Sequence, residues 1–322
     1  MKVLITGGAG YIGSCIASEF LKKGYQVCVL DNLTTGHREA VPNGCSFYLA
    51  DVRDYEQVRT ILKTENIQGV IHLAAKLVVE ESILNPLDYY DNNVGGVIAL
   101  SRACRSVGVD KIVFSSSAAV YSATENSSVF EESLTQPLTP YGQSKLIGEK
   151  IFLAAETHGI RTMILRCFNV AGAYALENLK APRSRHLVKI CAEAACGKRS
   201  LVEIFGADYQ TNDGTCVRDY LHVEDLARAH VLAFQNLEKG NPGQILNCGT
   251  GYGSSVIDVI KAMQKISGKN FPWQISPRRT GDLASILANP MKLKNILGWQ
   301  PQFDNLESIC RSTFEAETTI TL

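Results

Sequence analysis

Tyr141 and Lys145, four residues apart in Pro140-Tyr141-Gly142-Gln143-Ser144-Lys145, carry the first chemical signal in this chain. On a helix, residues at that spacing share a face. A free phenol, with a pKa of about 10, is a poor base at neutral pH. An ammonium group a few ångströms away favours the phenolate and lowers that value. Together the two side chains make a general base that works near neutrality. The same spacing is frequent on ordinary helices, so its meaning depends on what surrounds it. Upstream, Ile112-Val113-Phe114-Ser115-Ser116-Ser117 is an apolar run ending in three hydroxyls. If that run is a strand of a parallel sheet, the serines sit at its carboxyl edge and face a ligand cleft.

The elements that must hold these residues follow from the hydrophobic pattern. Strands are predicted over 3–6, 27–30, 46–49, 70–73, 112–115 and 162–166. Helices are predicted between them, over 12–23, 55–63, 87–107 and 141–158. Continuous apolar strands separated by helices imply a parallel sheet covered on both faces, with right-handed crossovers. The predicted fold class is therefore α/β, a doubly wound parallel Rossmann sheet in residues 1–168. Beyond Asn169 the rhythm loosens. Residues 169–322 read as a smaller α+β substrate-binding lobe that closes over the sheet's carboxyl edge, part of which returns to the sheet. Its predicted helices are 187–196, 225–237, 256–266 and 291–297, its strands 202–204 and 244–247, and its long loops 173–185 and 205–215.

The first predicted strand runs into Thr6-Gly7-Gly8-Ala9-Gly10-Tyr11-Ile12-Gly13, where Gly8, Gly10 and Gly13 satisfy G-x-G-x-x-G. Glycine lets the backbone turn tightly and approach a phosphate. A helix starting there points free N–H groups and its positive end at an anion. Gly7, Gly10, Tyr11, Ile12 and Gly13 are therefore candidate cofactor contacts. Asp31 ends the second strand, about where the fingerprint expects an acid. A carboxylate there accepts from both adenine-ribose hydroxyls and repels a 2′-phosphate, which selects NAD over NADP. Asn32, Asp51-Val52 and Leu73-Ala74-Ala75 fall along the same edge, and the two alanines let a dinucleotide lie against the backbone.

Composition narrows the partners. Lys plus Arg and Asp plus Glu number 32 each, so the formal charge is zero. That balance disfavours nucleic acid and anionic membranes. No apolar run approaches the ~18 residues that span a bilayer. Met1-Lys2 leads straight into a strand, leaving no room for a signal peptide. Ten cysteines without a C-x-x-C pair read as reduced thiols of a cytoplasmic protein. In that compartment Asn32-Leu33-Thr34 and Asn126-Ser127-Ser128 match the glycosylation triplet only by chance. The six histidines lack metal-ligand spacing, so no metal is expected. Arg183 and Arg185 read as solvated surface.

Taken together, the glycine turn, Asp31-Asn32-Leu33, the serine run and Tyr141-x-x-x-Lys145 resemble the extended short-chain dehydrogenase/reductases, and within them the UDP-glucose 4-epimerase family. The likeness continues through Tyr89-Tyr90-Asp91-Asn92-Asn93-Val94, Phe168-Asn169, Ile204-Phe205-Gly206 with Asp208-Tyr209, and Asp213-Gly214-Thr215. It ends with Val217-Arg218-Asp219-Tyr220-Leu221-His222-Val223 and Arg278-Arg279-Thr280-Gly281-Asp282-Leu283, so it spans nearly the whole chain. The resemblance implies interconversion of UDP-glucose and UDP-galactose by reversible oxidation at carbon 4 of the hexose, with retained NAD. Tyr141 would take the 4-hydroxyl proton, Ser117 would hydrogen-bond that hydroxyl, and Lys145 would tune Tyr141 and hold the nicotinamide ribose. The keto sugar would turn about its diphosphate link and be reduced on its other face. Asn92 and Phe168 would help hold the cofactor. Asn169, His186, Glu203, Phe205, Arg218, Tyr220, Arg279 and Asp282 would join Ser117 in holding the UDP-sugar; arginine suits a diphosphate through its fixed donors.

Counting from Gly281-Asp282 places the family's sugar-size gate at Ile286, with Ser285 one residue away. Isoleucine, smaller than tyrosine and larger than serine, implies a preference for UDP-glucose and UDP-galactose with weak activity on N-acetylated sugars. Four positions depart from the family pattern: Cys167 for tyrosine, Ser122 for glycine, Leu77 for a lysine found in some members, and a partial match at His186-Leu187. Dehydratases of this fold resemble one another in a Thr-Asp-Glu run after the fifth strand. Here Ser117-Ala118-Ala119-Val120 carries no carboxylate. The alternatives are an epimerase or decarboxylase for another UDP-sugar (N-acetylhexosamine, pentose or uronic acid) and a non-catalytic NAD sensor, which typically lacks the tyrosine or lysine. The helices predicted over 87–107 and 141–158 resemble those that pair in the family's homodimers, so a dimer is expected.

Overall fold

The structure, a computed structural model, describes residues 1–122, 128–174 and 186–319. In chain order the first elements are β1 (Lys2–Thr6), α1 (Tyr11–Lys22), β2 (Gln26–Asp31), β3 (Ser46–Leu49), α2 (Tyr55–Thr64), β4 (Gly69–His72), α3 (Val79–Leu84) and α4 (Pro86–Tyr89). Next come α5 (Gly95–Val107), β5 (Lys111–Ser117), β6 (Ser128–Val129), α6 (Pro140–Ala155), β7 (Arg161–Cys167), β8 (Asn169–Ala171), α7 (Leu187–Ala195), β9 (Val202–Phe205) and β10 (Val217–His222). The chain then runs through α8 (Val223–Glu238), β11 (Gln244–Cys248), β12 (Gly253–Ser255), α9 (Val256–Ser267), β13 (Trp273–Ser276), β14 (Ser285–Ala288), α10 (Met291–Leu297) and α11 (Leu306–Thr319).

A seven-stranded sheet has the order β11-β7-β5-β4-β1-β2-β3, and every neighbouring pair is parallel. From β1 the chain winds outward through β2 and β3, then returns to β4 on the other side. That reversal is the switch point at which open α/β sheets bind ligands. Side chains alternate along each strand between the two faces. Val3, Ile5, Val27 and Val29 pack with Phe20 of α1 and Phe234 of α8. Leu4, Cys28 and Leu30 pack with Ile61 of α2, Leu100 of α5 and Phe152 of α6. Because both faces are covered, the central strands are mainly apolar, as the sequence pattern predicted, with polar residues gathered toward their carboxyl ends.

A second core, with Val188, Ala192, Val259, Met263 and Ile309, joins α7, α9 and α11. Beside it lies the sheet β12-β10-β14-β6, with β8 also paired to β10, and a two-stranded ribbon β13-β9. β11 lies at the end of the large sheet, paired with β7.

Three departures from the sequence expectation have a clear cause; β6, β8, β12, β13, β14 and α3 are short elements that the sequence pattern also leaves unmarked. The helix predicted over 87–107 is α4, a π turn at Tyr90–Val94, and then α5. The Asn93 amide accepts from Lys76 N at 2.8 Å and donates to Lys76 O at 3.1 Å, which draws this stretch toward the loop after β4. Such π turns often mark functional sites. β10 was not predicted because its buried positions include Asp219 and His222, which break the apolar pattern. Asp219 is nonetheless satisfied, accepting from Thr250 N, Gly251 N and Ala288 N at 2.8, 2.8 and 3.1 Å. α11 was missed as well; its charged residues hide a narrow apolar stripe with Ile309 and Cys310. Asn126-Ser127, Arg183, Arg185 and most of the loop predicted over 173–185 lie outside the described residues.

Candidate active site

The glycine turn joins β1 to α1. Gly7 has φ +73°, and its N–H donates to Leu30 O at 2.8 Å. A Cβ on Gly13 would sit 2.1 Å from Gly7 O, so only glycine lets α1 press against the turn. Gly10 is different. A Cβ there would meet only Gly7 O, at 3.4 Å. Its lack of a side chain serves open space, not packing. α1 starts at Gly10 without a side-chain cap and without an acid in its first turn. Its leading N–H groups, including those of Tyr11 and Ile12, are suited to an anion.

Asp31, at the end of β2, is 8% exposed. One carboxylate oxygen accepts from Ala9 N at 3.0 Å and the other from Leu33 N at 2.8 Å. These bonds fix its orientation beside the turn, and each oxygen keeps accepting capacity. Asn32 donates to Asp51 at 3.2 Å. Arg53, bonded to Asp51, holds that carboxylate down at about 2. Ala74 follows β4, with its backbone directly under Gly7. Thr6 Oγ1 accepts from Leu73 N and Ala74 N, both at 3.3 Å. Ala75 continues that half-buried edge. Val52 is a packing residue, placed against Gly96 of α5. Glycine cradle, open helix start and oriented carboxylate together fit a dinucleotide such as NAD.

Tyr141 sits in the first turn of α6. Thr139 caps that helix, accepting from Gly142 N at 3.2 Å. A Cβ on Gly142 would lie 2.2 Å from Ala119 O, so glycine is what lets α6 meet the turn after β5. The Ser117 hydroxyl, at the end of β5, lies beside the Tyr141 phenol. It also accepts from Ala119 N at 3.2 Å. Lys145 Nζ donates to Ser115 O at 2.9 Å, and its amine lies 5.1 Å from the Phe114 ring centre. Burial pushes the phenol of Tyr141 up to about 12, and Ser117 pulls it the other way. Lys145 is itself buried and pushed down to about 8 by that burial, and its bond to the Ser115 carbonyl leaves two further N–H donors.

Asn92 is half-buried in the π turn and donates to Asn93 at 3.0 Å. Asn93, which sequence reasoning passed over, donates to Ser144 of α6 at 2.9 Å. It ties the loop after β4 to the helix carrying Tyr141. Adjacent asparagines in one motif gave no sign of which would turn inward.

The second lobe supplies a separate group. Arg218 of β10 donates to Leu283 O at 2.7 Å and pairs with Asp282 at 3.2 Å. Arg279 stacks on Phe205, 3.8 Å from its ring centre, and pairs with Glu80 of α3 at 3.1 Å. Arg278 is held instead by Asp208, at 2.7 Å. Exposed Asn169 on β8 lies in register with Tyr220, whose ring is buried in the core of the second lobe. His186 starts α7, accepts from Lys189 N at 3.2 Å, and lies 5.5 Å from the Tyr11 ring. Glu203 accepts from Ser276 at 3.0 Å on the exposed ribbon. Phe168 and Ile286 share a buried cluster with Ala118 and Leu146, which joins β14 to the elements bearing Ser117 and Tyr141. Ile286 pairs with Arg218, and Ser285 pairs with Val217.

The chain is similar to known proteins over nearly its whole length. The family model for the NAD dependent epimerase/dehydratase family matches residues 3–249. The UDP-glucose 4-epimerase of Azospirillum brasilense is 41% identical over 322 residues, 99% of this chain and 92% of that one. A crystal structure of the UDP-glucose 4-epimerase of Stenotrophomonas maltophila, with bound NAD and formylated UDP-arabinopyranose, superposes with a TM-score of 0.94. That protein is 38% identical, and the match covers 100% of this chain and 99% of the other. The UDP-Glc/GlcNAc 4-epimerase of Campylobacter jejuni is 41% identical over 99% of both chains, with a TM-score of 0.86. With its glycine cradle, Asp31 and the Ser117–Tyr141–Lys145 group on one sheet edge, this chain belongs to the NAD dependent epimerase/dehydratase family.

Proposed function

We propose that this chain interconverts UDP-glucose and UDP-galactose, by reversible oxidation at carbon 4 of the hexose with NAD held throughout. The observation that carries the proposal is the meeting of Ser117, Tyr141 and Lys145 at the end of β5, on the edge that also bears the dinucleotide cradle. Gly7, Gly10, Gly13 and the first turn of α1 would hold the diphosphate of NAD, and Asp31 the adenine ribose. When bound, NAD supplies reversible acceptance of the carbon-4 hydride. The protein's own groups handle the proton. Tyr141 takes it from the 4-hydroxyl oxygen and later returns it, and Ser117 orients that oxygen. Lys145 contributes positive charge beside the phenolate. Tyr141 and Lys145 are buried and Ser117 is half-buried, which limits the water that competes for the proton. Arg218 and Arg279 neutralise the substrate diphosphate, Asp282 accepts from its ribose, and Phe205 and Asn169 position the nucleotide.

Two lobes divide this work: residues 1–168 bind the cofactor and 169–322 the UDP-sugar, with β11 completing the large sheet. Ile286 faces the cluster beside Ser117, where its bulk favours hexoses without an acetyl group. Exposed Ile98 on α5 and Leu153 on α6, with Leu84 and Leu87 nearby in sequence, support a homodimer through these helices. Ten free cysteines fit a reducing cytoplasm. Among the described residues no helix is long and apolar enough to cross a membrane. Tyr141→Phe tests the proposal: it keeps the ring, so the fold should stand, and turnover should fall by about 10²–10⁴. Unchanged turnover would refute the role of Tyr141.

A further inference from the structure

We infer that Glu149 is a positioning residue for Lys145, clamped by Arg166 so that one face of α6 stays locked to the serine run of β5. The inference rests on the catalytic reading of Tyr141 and Lys145 above. Tyr141, Lys145 and Glu149 follow one another at four-residue spacing on α6, and so share one face. Each meets a different serine of β5. Tyr141 lies beside the Ser117 hydroxyl, Lys145 donates to the Ser115 carbonyl, and the Ser116 hydroxyl donates to Glu149.

Arg166 of β7 closes the clamp. Its Nε donates to Glu149 at 3.0 Å and an Nη at 2.8 Å, a two-point grip between residues 3% and 1% exposed. Its other Nη donates to Tyr121 and to Glu131 O, both at 2.9 Å. Tyr121 in turn donates to Asn247 of β11 at 2.6 Å. The clamp thus binds β5, α6, β7 and β11 directly behind the reacting side chains.

Stability alone does not account for it. A buried ion pair is often replaced by apolar side chains with no loss. What an apolar pair cannot supply is a fixed negative charge one helical turn from Lys145. The groups facing that amine are Glu149 from α6, the Phe114 ring from β5, Cys167 from β7 and neutral, buried His72 from β4, and Tyr141 lies one turn before it on α6. Glu149 is the carboxylate among them. Burial drives the Lys145 ammonium toward its neutral form; Cys167 and then Glu149 oppose that drive.

The test compares pH profiles of kcat, with UDP-galactose as substrate, and thermal melting for three proteins: wild type, Glu149→Gln, and Glu149→Gln/Arg166→Met. Glu149→Gln should melt lower, because it leaves Arg166 buried without its partner. Its alkaline limb, where Lys145 loses its proton, should move down by about one pH unit. In the double variant melting should largely recover while the limb stays displaced. An unmoved limb in a folded variant, or a limb that returns with the melting temperature, would overturn the inference. So would collapse of both variants, since that assigns the pair to folding alone. A wild type that does not convert UDP-galactose would instead count against the proposed function.

Discussion

Replacing Gly10 with alanine separates a residue that serves the fold from one that serves a ligand. The backbone at Gly10 has φ −82° and ψ 174°, a conformation open to alanine. The added Cβ would meet Gly7 O at 3.4 Å, an ordinary contact. At a helix N-cap alanine is worse than glycine by roughly 0.5–1 kcal/mol. Against that, alanine restricts the unfolded chain, worth about 0.4–1 kcal/mol. The two nearly cancel, so the melting temperature should move by less than about 2 °C. The same methyl points into the space where a dinucleotide diphosphate must approach the backbone. Overpacking such a contact costs about 1–3 kcal/mol, a loss in affinity of roughly 5–150-fold. The assay is NAD release on denaturing the purified protein, followed by titration of stripped protein with NAD and a thermal melt. Gly13→Ala is the contrast: its Cβ would stand 2.1 Å from Gly7 O, so that variant should fail to fold. Wild-type NAD affinity in Gly10→Ala would refute the cradle, and a collapse like that of Gly13→Ala would refute the packing argument.

Ile286→Ala should raise the specificity constant for UDP-N-acetylglucosamine relative to UDP-glucose by about tenfold, at a stability cost of about 2 kcal/mol. An unchanged ratio, or a wild type that already favours the acetylated sugar, would remove Ile286 from the gate. Acid should destabilise the protein through its buried histidines. Burial holds His72 at about 3, and His222 and His230 at about 4, all below the unfolded value. The unfolded chain therefore binds more protons below about pH 6.5, and stability falls as pH drops toward 4. Each group contributes up to about 1.4 kcal/mol per pH unit. Urea midpoints equal at pH 7 and pH 5 would contradict this. Sedimentation at working concentration should give a dimer, and replacing Ile98 and Leu153 with lysine should shift it toward monomer; a wild type that runs only as monomer refutes that interface.

Much of this was legible from residue order because a parallel sheet covered on both faces writes itself as apolar runs. Leu4 and Ile5 face opposite layers, yet both had to be apolar. The second lobe was harder to read. β10 buries Asp219, whose hydrogen-bond partners lie 31, 32 and 69 residues away, and no local pattern reports such distances. At the site, local spacing marked Tyr141 and Lys145, and the serine run marked Ser117. Spacing did not show that the Lys145 amine reaches the Ser115 carbonyl, or how deeply the phenol is buried. Asn93, Glu149 and Arg166 were invisible for the same reason as β10: their partners come from other strands and helices.

The central claim is that the chain carries its own redox partner and converts one UDP-hexose into its C4 epimer. The most direct measurement is to purify the protein, add UDP-galactose and no NAD, and follow the nucleotide sugars by chromatography. The account requires UDP-glucose to appear over many turnovers without accumulation of NADH. Absence of product, with NAD still bound, would contradict the assigned substrate; product formed only when NAD is added in proportion would contradict retention of the cofactor.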